Sequence, residues 1–441
     1  MAFAVEQALR RLDDSVREDA RAAIESLLPE HGDWSDLLQL SLQGFLWYHL
    51  PTKWLTSSAH HHEMARALGD LFEAGGLDRY ASLCRSAETH ELIDLRHRDP
   101  QEARRRFRTL MTDSGVDPPD TPALTWGPIQ GVAEYSACLH VSAVLEAAVV
   151  DGALVPGRRG WRTVAATVTD RAIRGPHPAG THSSLLVSVE DERRGDWLVE
   201  LRGRTLLPDD VSAALAEQLA RPPVDGELSS VATSLEPLAW FLGQVGAGLT
   251  LTERGHLPRR LVLDADERYN WFELKPQFSV RTERDLLELT IIHQLARDAR
   301  LVTLNRRRLS ISARGRAALS DEQSLVRAVL AAIFDPTTWA GDAAVGTAVS
   351  LVSSRSVTRP SRDELDVALH HYLRSRWRPG ASELTVTDVR GAYRVLLHAG
   401  RAFDWFAPEE RGVWDRAPAL TAIGRSASLL GLAAVARAPR R

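Results

Sequence analysis

Three consecutive histidines and a glutamate, His60-His61-His62-Glu63, are the first residues in this chain whose types could do chemistry. Zinc held on a helix needs two imidazoles at i and i+4, so that both point from one face, as in His-Glu-x-x-His. Adjacent histidines point in different directions, and no second histidine follows at i+4. The spacing predicts a solvent-exposed first turn of a helix and no metal. His370-His371 fails the same test. Gly243-Gln-Val-Gly-Ala-Gly248 has enough glycine to suggest a phosphate cradle, but a dinucleotide fingerprint is Gly-x-Gly-x-x-Gly between a strand and a helix. Here the order is reversed and Leu249–Thr252 reads as strand, so a plain loop is expected. Neither Lys53 nor Lys275, the only lysines, lies in a Gly-x-x-x-x-Gly-Lys-Ser/Thr loop.

Two further constellations could carry catalysis by residue type. Asp196 and Glu200-Leu-Arg202 fall on a predicted strand, where a metal-dependent nuclease wants acids followed by a lysine. Arg202 takes the lysine's place, and a guanidinium with a pKa above ~12 is a poor proton donor or acceptor. A surface ion pair between Glu200 and Arg202, on one strand face, is the expectation. Gly180-Thr-His-Ser-Ser184 lacks the Gly-x-Ser-x-Gly turn that presents a hydrolase serine. No catalytic residue is assigned.

The constellation that could carry binding lies further on. In a helical pattern over 283–298, Thr290, His293, Gln294 and Arg297 fall at i, i+3, i+4 and i+7 as one polar stripe. Leu289, Ile292, Leu295 and Ala296 point the other way, toward a core. Two short apolar strands follow, Leu301–Leu304 and Leu309–Ser312, joined by Asn305-Arg306-Arg307-Arg308. From Arg297 to Arg316 there are seven arginines against one acid, Asp298, a local charge of +6. A polar helix beside a basic ribbon can place the helix in the major groove while the ribbon holds phosphates. Glu283, Asp285 and Glu288 are poor neighbours for phosphate, which keeps a protein partner open as the alternative.

These residues need elements to position them. Apolar spacing predicts helices through the first 125 residues, including Trp34–Tyr48 with Asp33 as N-cap and Glu63–Glu73 stopping at Gly75-Gly76. The proline-rich segment 113–128 reads as a linker, and Ala133–Val150 as a helix. The period then switches to two over Ser184–Glu190 and Asp196–Arg202, which predicts a β-hairpin. In the second half Thr252/Gly255, Ser312/Gly315 and Thr421/Gly424 repeat one pattern: an apolar run, a hydroxyl residue, and a glycine three residues on. A hydroxyl that caps a helix and a glycine that allows a tight approach would make each a strand-to-helix junction.

The stretch from Gly248-Leu-Thr-Leu-Thr-Glu-Arg-Gly-His-Leu-Pro258 through Leu286–Thr290, Ala299–Val302 and Leu309–Leu319 resembles a winged-helix-like C-terminal region of uncharacterised proteins of high-GC bacteria. In some of these proteins it accompanies a plasmid-ORF-three-like domain. The resemblance covers about residues 235–335. It implies a winged-helix-like fold and brings no catalytic residues.

Composition bounds the rest. A chain of 441 residues with 44% hydrophobic and 25% charged residues has the profile of an ordinary multidomain globular protein. A net charge of -4 gives no global attraction to nucleic acid or membranes, so any such attraction is local. Two cysteines, Cys84 and Cys138, are too few for a disulfide framework and suit a reducing compartment. Twelve tryptophans are expected mainly as core anchors, with Trp405-Phe406 and Trp414 beside Glu409-Glu410 as a partner-facing option. No signal peptide or membrane span is expected, which places the chain in the cytoplasm.

The sequence thus predicts a mainly α protein with small β-ribbons: a helical domain at 1–125, a mixed α/β domain with a β-hairpin at 126–226, and winged-helix-like domains at 227–340 and 341–441. The leading expectation is a non-enzymatic binding protein associated with duplex DNA, without metal or other cofactor. A protein-interaction scaffold is the alternative, and an enzyme with an unrecognised site in the N-terminal half the second.

Overall fold

The structure is a computed structural model that describes residues 3–28, 32–221, 225–246, 248–271, 279–354, 360–378, 380, 382–407 and 416–440. Lys275, Glu409, Glu410 and Trp414 lie outside the described residues. The chain is mainly helical, 66% helix against 4% strand, so a single small sheet supplies the strand content. It divides into two compact units, Met1–Glu192 with Pro439–Arg441, and Arg193–Ala438.

In the first unit, helices cover most of the first 113 residues and bury Leu42, Leu46, Leu68, Phe72 and Leu92 in one apolar cluster. Asp33 caps as expected, but only a three-residue turn, Trp34–Asp36, closed by a capping box with Asp36. The predicted Trp34–Tyr48 helix is instead a sequence of short pieces: Gln39–Gly44, a π-helical turn Phe45–His49, then Leu50–Lys53. Pro51 explains the widening, because its ring clashes with the carbonyl four residues earlier, that of Trp47. The Ser58–Ala74 helix is longer than expected and starts at the Ser57 cap, whose side chain accepts the His60 N–H.

A second cluster forms around Val132–Val150, through Ala137, Val141 and Leu145. By length and composition this helix could cross a membrane, a run longer than the sequence reading allowed. Both of its carboxylates are nonetheless buried in this unit and spoken for. Glu134 accepts the Gly127 N–H at 2.7 Å, and Glu146 accepts the Gln39 N–H and the Tyr80 hydroxyl, each at 2.8 Å.

The expected β-hairpin over 184–202 is absent: Leu185–Arg204 is one helix. Its buried positions, Leu185, Ser188, Val189, Arg193, Leu201 and Arg204, fall at i, i+3, i+4, i+8, i+16 and i+19, one face of a helix. Alternating Leu and Val masked that period, and Gly195, in mid-helix, looked like a turn.

The second unit has one apolar core running from Leu201 to Leu432. Inside it a helix Glu236–Val245, strand β1 (Leu249–Thr250), helices Arg259–Tyr269 and Leu287–Asp298, and strands β2 (Val302–Asn305) and β3 (Arg308–Ile311) follow in order. The sheet is antiparallel in the order β1-β3-β2, with Val302 opposite Ile311 and Leu304 opposite Leu309. The two predicted strands are therefore present within one residue of their expected ends, and the preceding helix is present but starts four residues later than expected. The helix is entered through a separate turn, Glu283–Asp285, closed by a Thr282/Asp285 capping box.

The same set of backbone devices occurs again later in the unit. Thr385 and Asp388 form a second capping box, followed by the helix Arg394–Arg401. Both helices end on a non-glycine residue in the left-handed region, Arg300 at φ 57° and Asp404 at φ 55°. The next residue, Leu301 or Trp405, donates its N–H to Ala296 or Gly400 respectively, at 2.9 and 2.8 Å. Ser312 then donates its N–H to the Leu301 carbonyl and its hydroxyl to the Arg300 carbonyl. Thr421 repeats both bonds on Trp405 and Asp404. Each hydroxyl also accepts the N–H of a glycine, Gly315 or Gly424, that starts the following helix. A Cβ at either glycine would collide with the Leu301 or Trp405 carbonyl oxygen, so the glycine is required by close approach. The ribbon recurs as well: Phe406 faces Leu420 as Val302 faces Ile311, and Ser361 bridges Arg416 where β1 meets β3.

Of the three hydroxyl–glycine pairs read from sequence, two are these junctions. Thr252/Gly255 closes a turn instead, with the Thr252 hydroxyl accepting the His256 N–H at 3.0 Å. A further pair escaped notice, Thr338 capping Trp339–Ser353 through Gly341, because no apolar strand precedes it.

Candidate nucleic-acid interface

The stripe expected on the 283–298 segment divides when its side chains are placed. His293 is buried, 6% exposed, with Nδ1 2.8 Å from the Glu283 carboxylate. Glu283 is itself buried and also accepts the Leu257 N–H at 2.7 Å. The Thr290 hydroxyl donates to the Glu283 and Leu286 carbonyls. Through Glu283 the His293 imidazole ties the helix to the loop after β1, and Thr290 ties it to the capping turn. The sequence missed this because the capping turn at Glu283 brings a carboxylate under the helix, which a stripe count cannot register. Gln294 and Arg297 do stand at the surface, where Gln294 donates to Asp298 at 2.8 Å. Around them lie exposed Leu287 and half-buried Ile291, so the outer helix face is mixed rather than polar.

The ribbon is different. Arg306, Arg307 and Arg308 are all exposed, as are Arg300, Arg314 and Arg316. Arg306 sits at φ 54° in the two-residue turn between β2 and β3, a conformation that costs a non-glycine residue ~1 kcal/mol. The Arg307 guanidinium is 4.0 Å from the Glu253 carboxylate, both side chains well exposed, which is worth little in water. Arg308 lies across Gly248, where a Cβ would meet its guanidinium. Leu309 turns inward and is fully buried, anchoring the ribbon to the core. The ribbon is thus fixed at its base and carries exposed arginines at its tip, a residue type whose guanidinium can bond a phosphate in bidentate fashion.

Other clusters resolve as structural. In the first unit His61 is buried, not exposed as expected, with Nε2 3.0 Å from the Trp54 carbonyl and Nδ1 3.1 Å from His97. Burial holds its pKa below the usual histidine value. His62 stacks on His90, with its Nδ1 2.8 Å away, and bonds Asp94 at 2.9 Å. That imidazole in turn holds the Asp94 carboxyl below its ordinary pKa. Among the described residues no group of three or more His, Cys, Asp or Glu is placed to hold a metal ion. Glu200 pairs with Arg204 at i+4 on a helix, not with Arg202 across a strand face. Trp405 and Phe406 are buried, and the Trp405 indole donates to Ser234 at 3.1 Å.

A buried charge network went unseen in the sequence. Asp342, fully buried, accepts from Arg204 at 2.7 Å, Trp377 at 2.7 Å and the Tyr372 hydroxyl at 2.9 Å. The Arg204 guanidinium stacks 3.8 Å from the Tyr372 ring centre. Burial, then the Asp342 charge, pushes the Tyr372 hydroxyl well up from its ordinary pKa. Every partner is satisfied, so the network locks helices together. An 810 Å³ cavity in the same unit is lined by Leu215, Val352 and Leu420. Its one arginine, Arg425, is already bonded to the Val352 carbonyl and to Gln218, each at 2.9 Å.

No protein-family model, curated protein or solved structure matches the chain.

Proposed function

We propose that this chain is a non-enzymatic, cytoplasmic binding protein that associates with duplex DNA through a winged-helix-like unit spanning about 236–320, with a second such unit following it. The observation that carries the reading is the ribbon tip, where Arg306, Arg307 and Arg308 are exposed on a hairpin anchored by buried Leu309. The helix–strand–helix–helix–strand–strand order and the β1-β3-β2 sheet support the winged-helix assignment. Because Thr290 and His293 are engaged in holding the helix, phosphate contact by the ribbon dominates and base reading falls to Gln294 and Arg297. Binding is therefore mainly sequence-independent, with strong salt dependence. The test is mobility shift of the purified chain on mixed duplex DNA across a salt series. Affinity should fall steeply with salt and differ little between sequences; absence of salt-dependent binding overturns the reading.

A second reading rests on the exposed Leu287 and half-buried Ile291 beside Asp298. That mixed helix face suits a protein partner, with the basic ribbon then docking on an acidic one. A pull-down competed by short duplex DNA separates the two, since only a ribbon that binds DNA is blocked.

A further inference from the structure

The second repeat carries a basic face that the first repeat lacks. Counting back from the left-handed residues Arg300 and Asp404 aligns Thr290, Gln294 and Arg297 with Arg394, His398 and Arg401. These three stand at i, i+4 and i+7 on the helix, one side of its surface. Arg394 and Arg401 are exposed and His398 is half-buried. The rest of the helix is apolar: Leu396, Leu397 and Ala399 are buried where the helix packs against Trp339–Ser353 and Leu287–Asp298. Nothing acidic occurs from Arg390 to Arg401, and Arg390, also exposed, adds a positive charge in the turn just before the helix. Two acids of neighbouring segments are engaged, while Asp404, beyond the helix, is exposed. Asp388 accepts the Thr385 N–H and hydroxyl, and buried Asp366 accepts the Gly391 N–H. Among the described residues neither Arg390 nor Arg394 has a carboxylate partner, whereas Arg401 makes a further interaction. His398 Nδ1 is buried without a hydrogen bond, and the neighbouring Arg394 and Arg401 charges add to burial in lowering its pKa, as convergence of the three groups requires.

We infer that the Arg394–His398–Arg401 face is a second phosphate-contacting surface for duplex DNA. This rests on the DNA reading of the ribbon and extends it. The first repeat contacts the backbone with its ribbon and presents a mixed helix, whereas the second contacts it with the helix itself. An α-helix fits the major groove with flanking phosphates within reach of arginine on both sides. In the first repeat the aligned stripe is less basic, since Asp298 lies beside it and accepts from Gln294.

The experiment is fluorescence anisotropy on a mixed-sequence labelled duplex between about 50 and 200 mM salt. It compares the wild type, R394A/R401A, the charge-keeping R394K/R401K, the single reversal R394E, and the ribbon variant R306A/R307A/R308A. Loss of two phosphate contacts should lower the log–log salt slope by about two units, with lysine restoring most of it. R394E changes only one exposed side chain, so it keeps the test valid should the double alanine variant fail to fold, as judged by circular dichroism melting. A wild-type slope retained in both R394A/R401A and R394E overturns this inference, and leaves the ribbon reading intact when the ribbon variant loses slope. The reverse pattern, loss only in the helix variants, upholds the inference and overturns the ribbon. A wild type that binds no duplex overturns both.

Discussion

The two repeats of the second unit share a backbone and differ in what they display on it. Both use a Thr/Asp capping box, a left-handed helix end, a Ser or Thr that bonds two carbonyls, and a glycine packed on one of them. Between these fixed points the side chains diverge. In the first repeat the buried residue after the helix is Leu301, in the second Trp405; the helix position Leu397 replaces the buried His293. The first repeat holds its helix with the Glu283–His293 pair, the second with apolar contacts of Leu396, Leu397 and Ala399. Geometry is thus kept by groups that act on the backbone, while charge and polarity are free to change. A surface property such as DNA contact can therefore sit on the ribbon in one copy and on the helix in the other.

The largest test of that contrast is Asp342→Ala. Removing the carboxylate strands the Arg204 charge in the core, which should cost about 3–5 kcal/mol in denaturant unfolding. A loss below 1 kcal/mol would mean that the network does not hold the helices carrying Arg204, Asp342 and Tyr372 together.

Next come Gly315→Ala and Gly424→Ala. Each forces a methyl onto a main-chain carbonyl, at about 1–3 kcal/mol, and the two losses should match within error if the junctions are equivalent. Ser312→Ala and Thr421→Ala should cost about 1 kcal/mol each as lost caps. Unequal pairs would break the equivalence of the repeats.

The first unit supplies a contrast by pH. Burial holds the His61 pKa below its unfolded value of about 6.5, so the unfolded chain takes up the proton first as pH falls. Its contribution is complete above that value and is lost below it. Melting followed from pH 7.5 to 5.5 should show stability falling, less so in His61→Gln; a rise on acidification contradicts the placement. The smallest effect concerns Arg306. Glycine relieves its positive φ, so Arg306→Gly should gain up to ~1 kcal/mol while removing a charge, which separates ribbon stability from ribbon binding.

What was legible in the sequence follows from the range of the signals. The Ser312/Gly315 and Thr421/Gly424 junctions and the Leu301–Ser312 ribbon are local and legible nearly at their places, whereas Thr252/Gly255 closes a turn. The Leu185–Arg204 helix was misread because its Leu and Val residues alternate over short windows, and only burial reveals the steps of three and four. His293 lost its expected role to Glu283, ten positions away, and the Asp342 network joins residues 138 apart between Arg204 and Asp342. Such pairings depend on packing, which no spacing rule encodes. The basic face at Arg394–Arg401 was hidden differently: its residues are plain in the sequence, but their equivalence to the 290–297 stripe appears only when the left-handed helix ends are aligned.

The central claim, that the first repeat's ribbon contacts DNA phosphates, is tested most directly by the salt slope of R306A/R307A/R308A beside that of the wild type. Three lost contacts at about 0.9 each predict a slope lower by two to three units, with affinity reduced alike on all sequences. An unchanged slope, or a wild type whose affinity for duplex DNA ignores salt, would contradict it.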